Sequence, residues 1–390
     1  MSVLIVGGGI GGLTTAVALR HVGITAHVYE RAPELREVGA GFTIWSNAMK
    51  GLREIGLEGK ALALGAELKK FQTLSPNGKV IDTEKMESIY SAVGATSICI
   101  HRADLLQILA EALPSEQIQT GKECVGVEQN DESVTLKFSD GAKVEGEIAI
   151  GADGINSAVR ASLFGTETPR YAGYYCYRAI AETNELPPDE AIFGMAKGAQ
   201  LGFFPFGREG KTYWFVCPNA PITRGESEST FDHKTFLSSI ADRLPSHLGQ
   251  IIRNTPTEDL IIGNVLDRPP RKEWGIGRVT LLGDAIHPTT PNLGQGACMA
   301  IEDGIVLADA IRRADNYITA LRQYEQKRRK RTAMIARQSW RIGKIYQYEN
   351  PLLIHLRTLM FRLPIAGWIG RKTQQRLLSS TLPELRDMQN

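Results

Sequence analysis

Several features are scarce in this chain, and each absence closes off a class of protein. Only five cysteines occur in 390 residues, at Cys99, Cys124, Cys176, Cys217 and Cys298. They are scattered, odd in number and form no C-x-x-C pair. That argues against a disulfide framework or a zinc site and for a reducing compartment, so a cytoplasmic location is expected. The opening MSVLIVGGG enters a strand at once, with no basic stretch, apolar core and cleavage site of a secretory leader. No uninterrupted apolar run has the length a bilayer span needs. Net charge is only +2, and no nucleic-acid partner is expected. A second nucleotide fingerprint is missing too, because GREGK at 207–211 lacks the P-loop spacing and follows no strand–helix pattern.

What is present suits a soluble enzyme of two interleaved domains. The hydrophobic fraction is 43% and the charged fraction 23%, and a chain this long buries a large core without staples. The charge is unevenly placed. Residues 311–390 carry 17 Lys and Arg against 5 Asp and Glu. A basic helix packed on the body is the expected reading; contact with a membrane surface is the alternative.

SVLIVGGGIGGLTTAVALRHVGITAHVYER reads as a βαβ unit. Val3 to Val6 form a short apolar run, as in a strand buried on both faces. Gly7, Gly9 and Gly12 fit G-x-G-x-x-G: one for the tight turn, one for close approach of a pyrophosphate, one for helix–strand packing. The helix that follows offers free N–H groups and its positive dipole end to phosphates. Glu30, 18 residues after Gly12, stands where an acid accepts from ribose hydroxyls. A long Gly-bearing loop through EVGAGFTIWSNAMK interrupts the regular repeat, as if wrapping an extended cofactor.

Two further strand-to-helix junctions follow. GADGINSAVR closes a β-meander on Asp153-Gly154, and LLGDAIHPTTPNLGQGACMAIEDG carries Asp284 and His287 into a helix starting near Ala297. Arg102 stands just before another helix. Such junctions are where α/β sheets place ligands. Glu302 and Asp303, expected in a first helical turn, read as structural. Residues 171–265 are aromatic and β-branched, and predict a mostly antiparallel sheet. Its inward face would hold Phe204, Phe206, Tyr213 or Trp214 according to register, since a one-residue slip exchanges the set. Arg178 and Arg208 are the charged residues there that suit an anionic substrate.

In family order over residues 3–304, GGGIGG with Glu30, ADGINSAVR and GDAIHPTTPNLGQGACMAIEDG resemble the single-component flavin-dependent aromatic hydroxylases. That family includes the para-hydroxybenzoate, 3-hydroxybenzoate, salicylate and urate hydroxylases and zeaxanthin epoxidase. The last stretch is similar above all to the urate hydroxylase, zeaxanthin epoxidase and 3-hydroxybenzoate hydroxylase branches. The resemblance implies an α/β fold with a Rossmann-like FAD-binding domain (1–72, 97–175, 266–330), an inserted β-sheet substrate domain (73–96, 176–265) and a C-terminal helical segment (331–390). It implies FAD held by Gly7, Gly9, Ile10, Gly11, Gly12, Glu30, Arg31, Gly41, Arg102, Val125, Asp153, Asp284, Pro291, Gly294, Gln295, Gly296 and Ala297. NAD(P)H would reduce the flavin transiently, and O2 would give a C4a-hydroperoxide that oxygenates a small aromatic or heteroaromatic ring. Residues near that ring would come from Arg178, Phe204, Arg208, Tyr213, Trp214 and Pro291. The protein would act as a monomer or homodimer. The urate branch has an Arg where Gln200 stands, which argues against urate, although Tyr213 matches that branch's tyrosine. Alternatives are an epoxidase or hydroxylase of a larger polycyclic or isoprenoid substrate, or an FAD-dependent reductase or oxidase on the same fold.

Overall fold

A computed structural model of the chain describes residues 2–35, 41–207, 210–220 and 232–385, with the backbone alone over 364–369. A six-stranded sheet forms the first layer, in the order Gly275–Ile276, Val279–Leu281, Ile148–Gly151, Val3–Val6, Ala26–Tyr29, Ile118–Gln119. Its pairs are parallel except the edge hairpin. Val3 to Val6 are buried throughout, which is why the strand is uniformly apolar rather than alternating. The helices Ile10–His21 and Gly296–Arg313 pack against one another beside the sheet.

The meander read from sequence is a three-stranded antiparallel sheet of Cys124–Gln129, Val134–Phe138 and Lys143–Gly146. A larger sheet has seven strands, ordered Ile261–Asp267, Arg170–Glu182, Lys211–Pro218, Ala199–Pro205, Glu190–Ala196, Lys70–Leu74, Val80–Lys85. All its pairs are antiparallel except Glu190–Ala196 with Lys70–Leu74.

Four expected boundaries fall inside elements, one of them the cut at 265/266 within the strand Ile261–Asp267. The cut at 72/73 divides the strand Lys70–Leu74, and the cut at 175/176 divides Arg170–Glu182, a 13-residue strand that enters the substrate sheet at residue 170. The cut at 330/331 divides a 30-residue helix, Tyr317–Tyr346. Continuous hydrogen-bonding ladders carry these elements past the places where the composition changes. Two shorter helices follow, Pro351–Arg362 and Pro364–Leu378, each opened by a proline at its first position, where the missing N–H costs nothing. Tyr317–Tyr346 packs on the body through Tyr324, Arg328, Ile335 and Ser339, all buried. Pro351–Arg362 shows solvent an apolar stripe of Leu352, Leu353, Leu356, Leu359 and Met360. Among the described residues no helix is long and apolar enough to cross a membrane.

Candidate active site

A groove runs across the ends of the parallel strands, lined by Gly7 to Gly11, Glu30, Arg31, Arg102, Cys124, Asp153, Asp284, Gly296 and Ala297 among others. Gly7 turns the chain with φ 108°, a backbone state L side chains rarely adopt. A Cβ on Gly12 would lie 1.9 Å from the Gly7 carbonyl oxygen, so Gly12 sets the helix against the turn and does not itself line the groove. A Cβ on Gly9 would meet nothing within 4 Å, leaving room for a ligand against the backbone. The Gly9 carbonyl accepts the first helical bond, from Leu13 N–H. The N–H groups of Ile10, Gly11 and Gly12 therefore precede any helical acceptor. Glu30 is fixed by the N–H groups of Gly8 (2.6 Å) and Ala32 (2.9 Å), which aims its remaining lone pairs into the groove.

Two carboxylates mark the other junctions. Asp153 accepts from Val159 N–H at 3.1 Å, yet its Oδ1 is buried with no partner. Burial raises its carboxyl above the usual range, opposed by bonds from Ser157 and the backbone. Ser157 caps the helix Ala158–Phe164 through Arg160 N–H, a supporting role. Asp284 is surrounded by protein, but its carboxylate opens onto the groove. That surround pushes its carboxyl up, while the charges of His287 and Arg102 pull it down. An orphaned buried acceptor, an open glycine and a fixed acid at one end of a phosphate-sized turn fit a bound dinucleotide.

Behind the groove lies a charge cluster that the sequence did not disclose. Glu302 and Asp303 sit in the second turn of Gly296–Arg313, not the first, and both are fully buried. Arg328 reaches Glu302 and Asp303 at 2.6 Å each, and Arg331 reaches Glu302 at 2.8 Å. Asp303 also holds His287 Nε2 at 2.6 Å and accepts from Gly283 N–H at 3.1 Å. Burial alone would raise Asp303, but the His287 and Arg328 charges and bonds outweigh it and hold the carboxyl at about 2. Gln295, expected at the cofactor, is instead buried and accepts from Asn47 at 3.0 Å. His287 is thus a clamp on the loop, consistent with the structural reading of Glu302 and Asp303.

The loop itself carries Pro291 at the exposed start of the 3-10 turn Pro291–Leu293, closed by Gly294 in the left-handed region against Trp45. Asn292, unremarked in the sequence, clasps this turn. Its Nδ2 donates to Thr290 Oγ1 and to Ser339 O at 2.9 Å each. It also bonds Tyr174 and Gln200 of the substrate sheet.

The sheet's register resolves the question left open by its aromatics. Phe204, Phe206 and Tyr213 share one cluster. Phe203 and Trp214 belong to another, packed on the helices His233–Ala241 and Ser246–Asn254, with Trp214 Nε1 donating to Thr255 at 3.0 Å. Trp214 therefore leaves the set of substrate candidates. Gly41 does not line the groove: a Cβ there would strike Tyr213 Cβ at 2.7 Å, so it admits the aromatic wall. Val125 is 56% exposed because strand alternation turns its neighbour Cys124 to the groove instead. Arg178 shares the face of Ile180 and Cys176, with its Nε buried and unpartnered. Gln200 is buried on the same face as Phe204, with its Oε1 unpartnered. Arg208 lies outside the described residues. A separate cleft of about 860 Å³ reaches Phe206, Ile180 and His101 from the sheet edge.

The FAD binding domain family matches residues 1–339. The chain belongs to this family. The chain is similar to an aurachin C monooxygenase/isomerase of Stigmatella aurantiaca, 35% identical over 97% of this chain and 98% of the relative. A 6-hydroxynicotinate 3-monooxygenase of Bordetella bronchiseptica is 31% identical over 90% and 93%. Klebsiella pneumoniae HpxO, solved with FAD and uric acid, superposes with a TM-score of 0.90 at 27% identity, covering 97% and 96% of the two chains. The family's α/β architecture is the one expected, and the chain is an FAD-dependent monooxygenase of it. The reductase or oxidase alternative gains no support from these relatives.

Proposed function

We propose that this monooxygenase takes electrons from NAD(P)H and inserts one oxygen atom from O2 into a small aromatic or heteroaromatic ring bearing an acidic group. The supporting observation is a pair of orphaned polar atoms on the aromatic wall. Arg178 Nε is a donor and Gln200 Oε1 an acceptor, both on the face that looks toward the Pro291–Leu293 turn. A buried donor or acceptor without a partner costs about 1–3 kcal/mol, and a ligand that satisfies both recovers that cost. Phe204, Phe206 and Tyr213 give the ring its apolar contact.

Bound in the groove, FAD would supply the reduction of O2 and the transfer of one oxygen atom. The chain's residues position and enclose it. Glu30 would accept from the adenosine ribose, Asp284 from the chain linking ribose to ring, and Asp153 Oδ1 from a further hydroxyl. Arg31 and Arg102 would face the phosphates. The free N–H groups at the start of Gly296–Arg313 would offer the reduced flavin's negative charge a positive dipole end. The aromatic wall excludes water, without which the oxygen is lost as peroxide. The cleft past Phe206 and His101 is the route for substrate.

A panel of ring acids and neutral rings, incubated with the protein, NADH or NADPH and labelled O2, tests the reading. Acidic rings are expected to accelerate nicotinamide oxidation and to gain one labelled oxygen. Failure of every ring to take up label, with nicotinamide oxidation unchanged, would sink it.

A further inference from the structure

The substrate wall carries two cysteines that no step above uses. Tyr177 pairs with Val216 at the end of the ladder and Tyr174 with Asn219 in an isolated bridge beyond it, and the register they share sets Cys176 opposite Cys217. Ala220 N–H donates to Gly173 O across the same ladder, which makes that rung a hydrogen-bonded one. Alternation then makes the Cys176–Cys217 rung non-hydrogen-bonded. In such a rung the Cα atoms are about 4.5 Å apart and the side chains are closest, inside the roughly 4.4–6.8 Å that a disulfide spans. Both cysteines are free, and both lie in one cluster with Tyr174.

We propose that Cys176 and Cys217 are a peroxide-oxidisable dithiol that closes to a cross-strand disulfide on the substrate wall. The chemistry of the pair is asymmetric. A bond from Cys217 and the Arg178 charge hold the Cys176 thiol below its ordinary value despite burial, while burial and that same bond hold Cys217 well above. The Arg178 charge beside the pair favours one thiolate shared between the two sulfurs. The remaining thiols lack such a neighbour. Burial pushes Cys124 up to about 11 and Cys298 up to about 12, and pushes Cys99 up as well.

Both cysteines are buried, and the nearest cleft stops one rung short of them. A cleft of about 430 Å³ is lined by Ala172, Tyr174 and Asn219. The Tyr174–Asn219 rung is the next one along on the cysteines' own face. The oxidant is hydrogen peroxide, the product when reduced flavin meets O2 and no ring is oxygenated. The Cys176 thiolate attacks one peroxide oxygen, the O–O bond breaks, and hydroxide leaves with a proton as water. The Cys217 thiol then attacks the resulting sulfenic sulfur and gives up its proton. The S–S bond forms, the S–O bond breaks, and a second water leaves. Two thiols and one peroxide give one disulfide and two waters.

The test needs no substrate and is independent of the proposed ring. FAD-loaded protein, reduced and desalted, is treated with one equivalent of hydrogen peroxide, then unfolded in the presence of an alkylating agent and digested with trypsin without reductant. Cleavage after Arg170, Arg178, Lys211 and Arg224 isolates the two cysteines on peptides 171–178 and 212–224. The expected result is a linked peptide lighter than the sum of its parts by two hydrogens, abolished by dithiothreitol. It should be accompanied by full alkylation of Cys99, Cys124 and Cys298. Cys176→Ser and Cys217→Ala should each give no linked peptide and retain the other cysteine as a free thiol or sulfenic acid. The proposal is overturned if folded, yellow wild-type protein gives no linked peptide. Survival of all its thiols, over-oxidation of Cys176 alone, or preferential oxidation of the other three would each be that result.

Discussion

Two sets of cationic side chains in this protein, one buried and one half-buried, are built oppositely. Behind the cofactor loop, Arg328 and Arg331 face Glu302 and Asp303, with His287 and Asn47 completing the bonds. On the substrate wall, Arg178 has no acid against it among the described residues, and its Nε is unpartnered. In the first arrangement the charged groups answer one another, His287 Nδ1 alone being left over, and they hold structure. The second leaves bonding capacity that only something arriving from outside can use. Net worth of a closed buried cluster is small, but breaking one member of it is expensive; for an open cation the reverse holds.

The largest effect that would test this contrast is Arg328→Met. It strands two buried carboxylates and is expected to cost about 3–5 kcal/mol, read as a drop in denaturation midpoint. A loss below about 1 kcal/mol would show the cluster relaxes easily and is not the loop's clamp. Arg178→Met is expected to leave stability within about 1 kcal/mol while raising KM for an acidic ring roughly 10- to 100-fold, the worth of a charge-assisted hydrogen bond. If stability falls and KM does not move, Arg178 belongs with the closed cluster.

The next effect is on pH. Asp303 is held at about 2 in the folded protein, below the roughly 3.9 of an unfolded aspartate. Its contribution is therefore complete above that unfolded value and is lost as pH falls toward 2. Melting of wild type and Asp303→Asn should differ most at neutral pH and converge between pH 4 and 2, read against these two values. A gap that stays constant over that range would place the wild-type advantage elsewhere than in the charge. The smallest effect is expected at Val125→Ala, which should change stability and FAD content negligibly, within about 0.5 kcal/mol. Loss of bound FAD in that variant would return Val125 to the groove.

The same contrast explains what could be read from sequence. The groove was legible because its signals are local. Gly7, Gly9 and Gly12 lie within six residues, Glu30 follows at a fixed offset, and Asp153 and Asp284 each end a strand at a turn. Backbone geometry over such short spans is dictated by neighbouring residues. Arg328 and Glu302 are separated by more than a helix and a turn, so no local pattern links them. Asp303 looked like an ordinary acid near a helix start, because the burial that gives it meaning comes from Tyr317–Tyr346 folding back. The aromatic wall was half legible. Alternation was visible, but Tyr213 and Trp214 differ by one position, and only the pairing with Ala199–Pro205 decides which of them joins Phe204 and Phe206. Cys176 and Cys217 read as scattered for the same reason: 41 residues apart in the chain, they become opposite numbers once two strands are in register.

The strand Arg170–Glu182 joins these observations mechanically. One end is anchored by Arg170, which grips Asp267 through two bonds of 2.8 Å and stacks on Trp340 at 3.3 Å. Further along it carries Cys176, Arg178 and Ile180 in turn, so it behaves as a beam whose seating fixes the spacing of everything mounted on it. A change at Arg170, well away from any ligand, would shift the mountings together, and efforts to retune selectivity should treat that distant fixing as an adjusting screw.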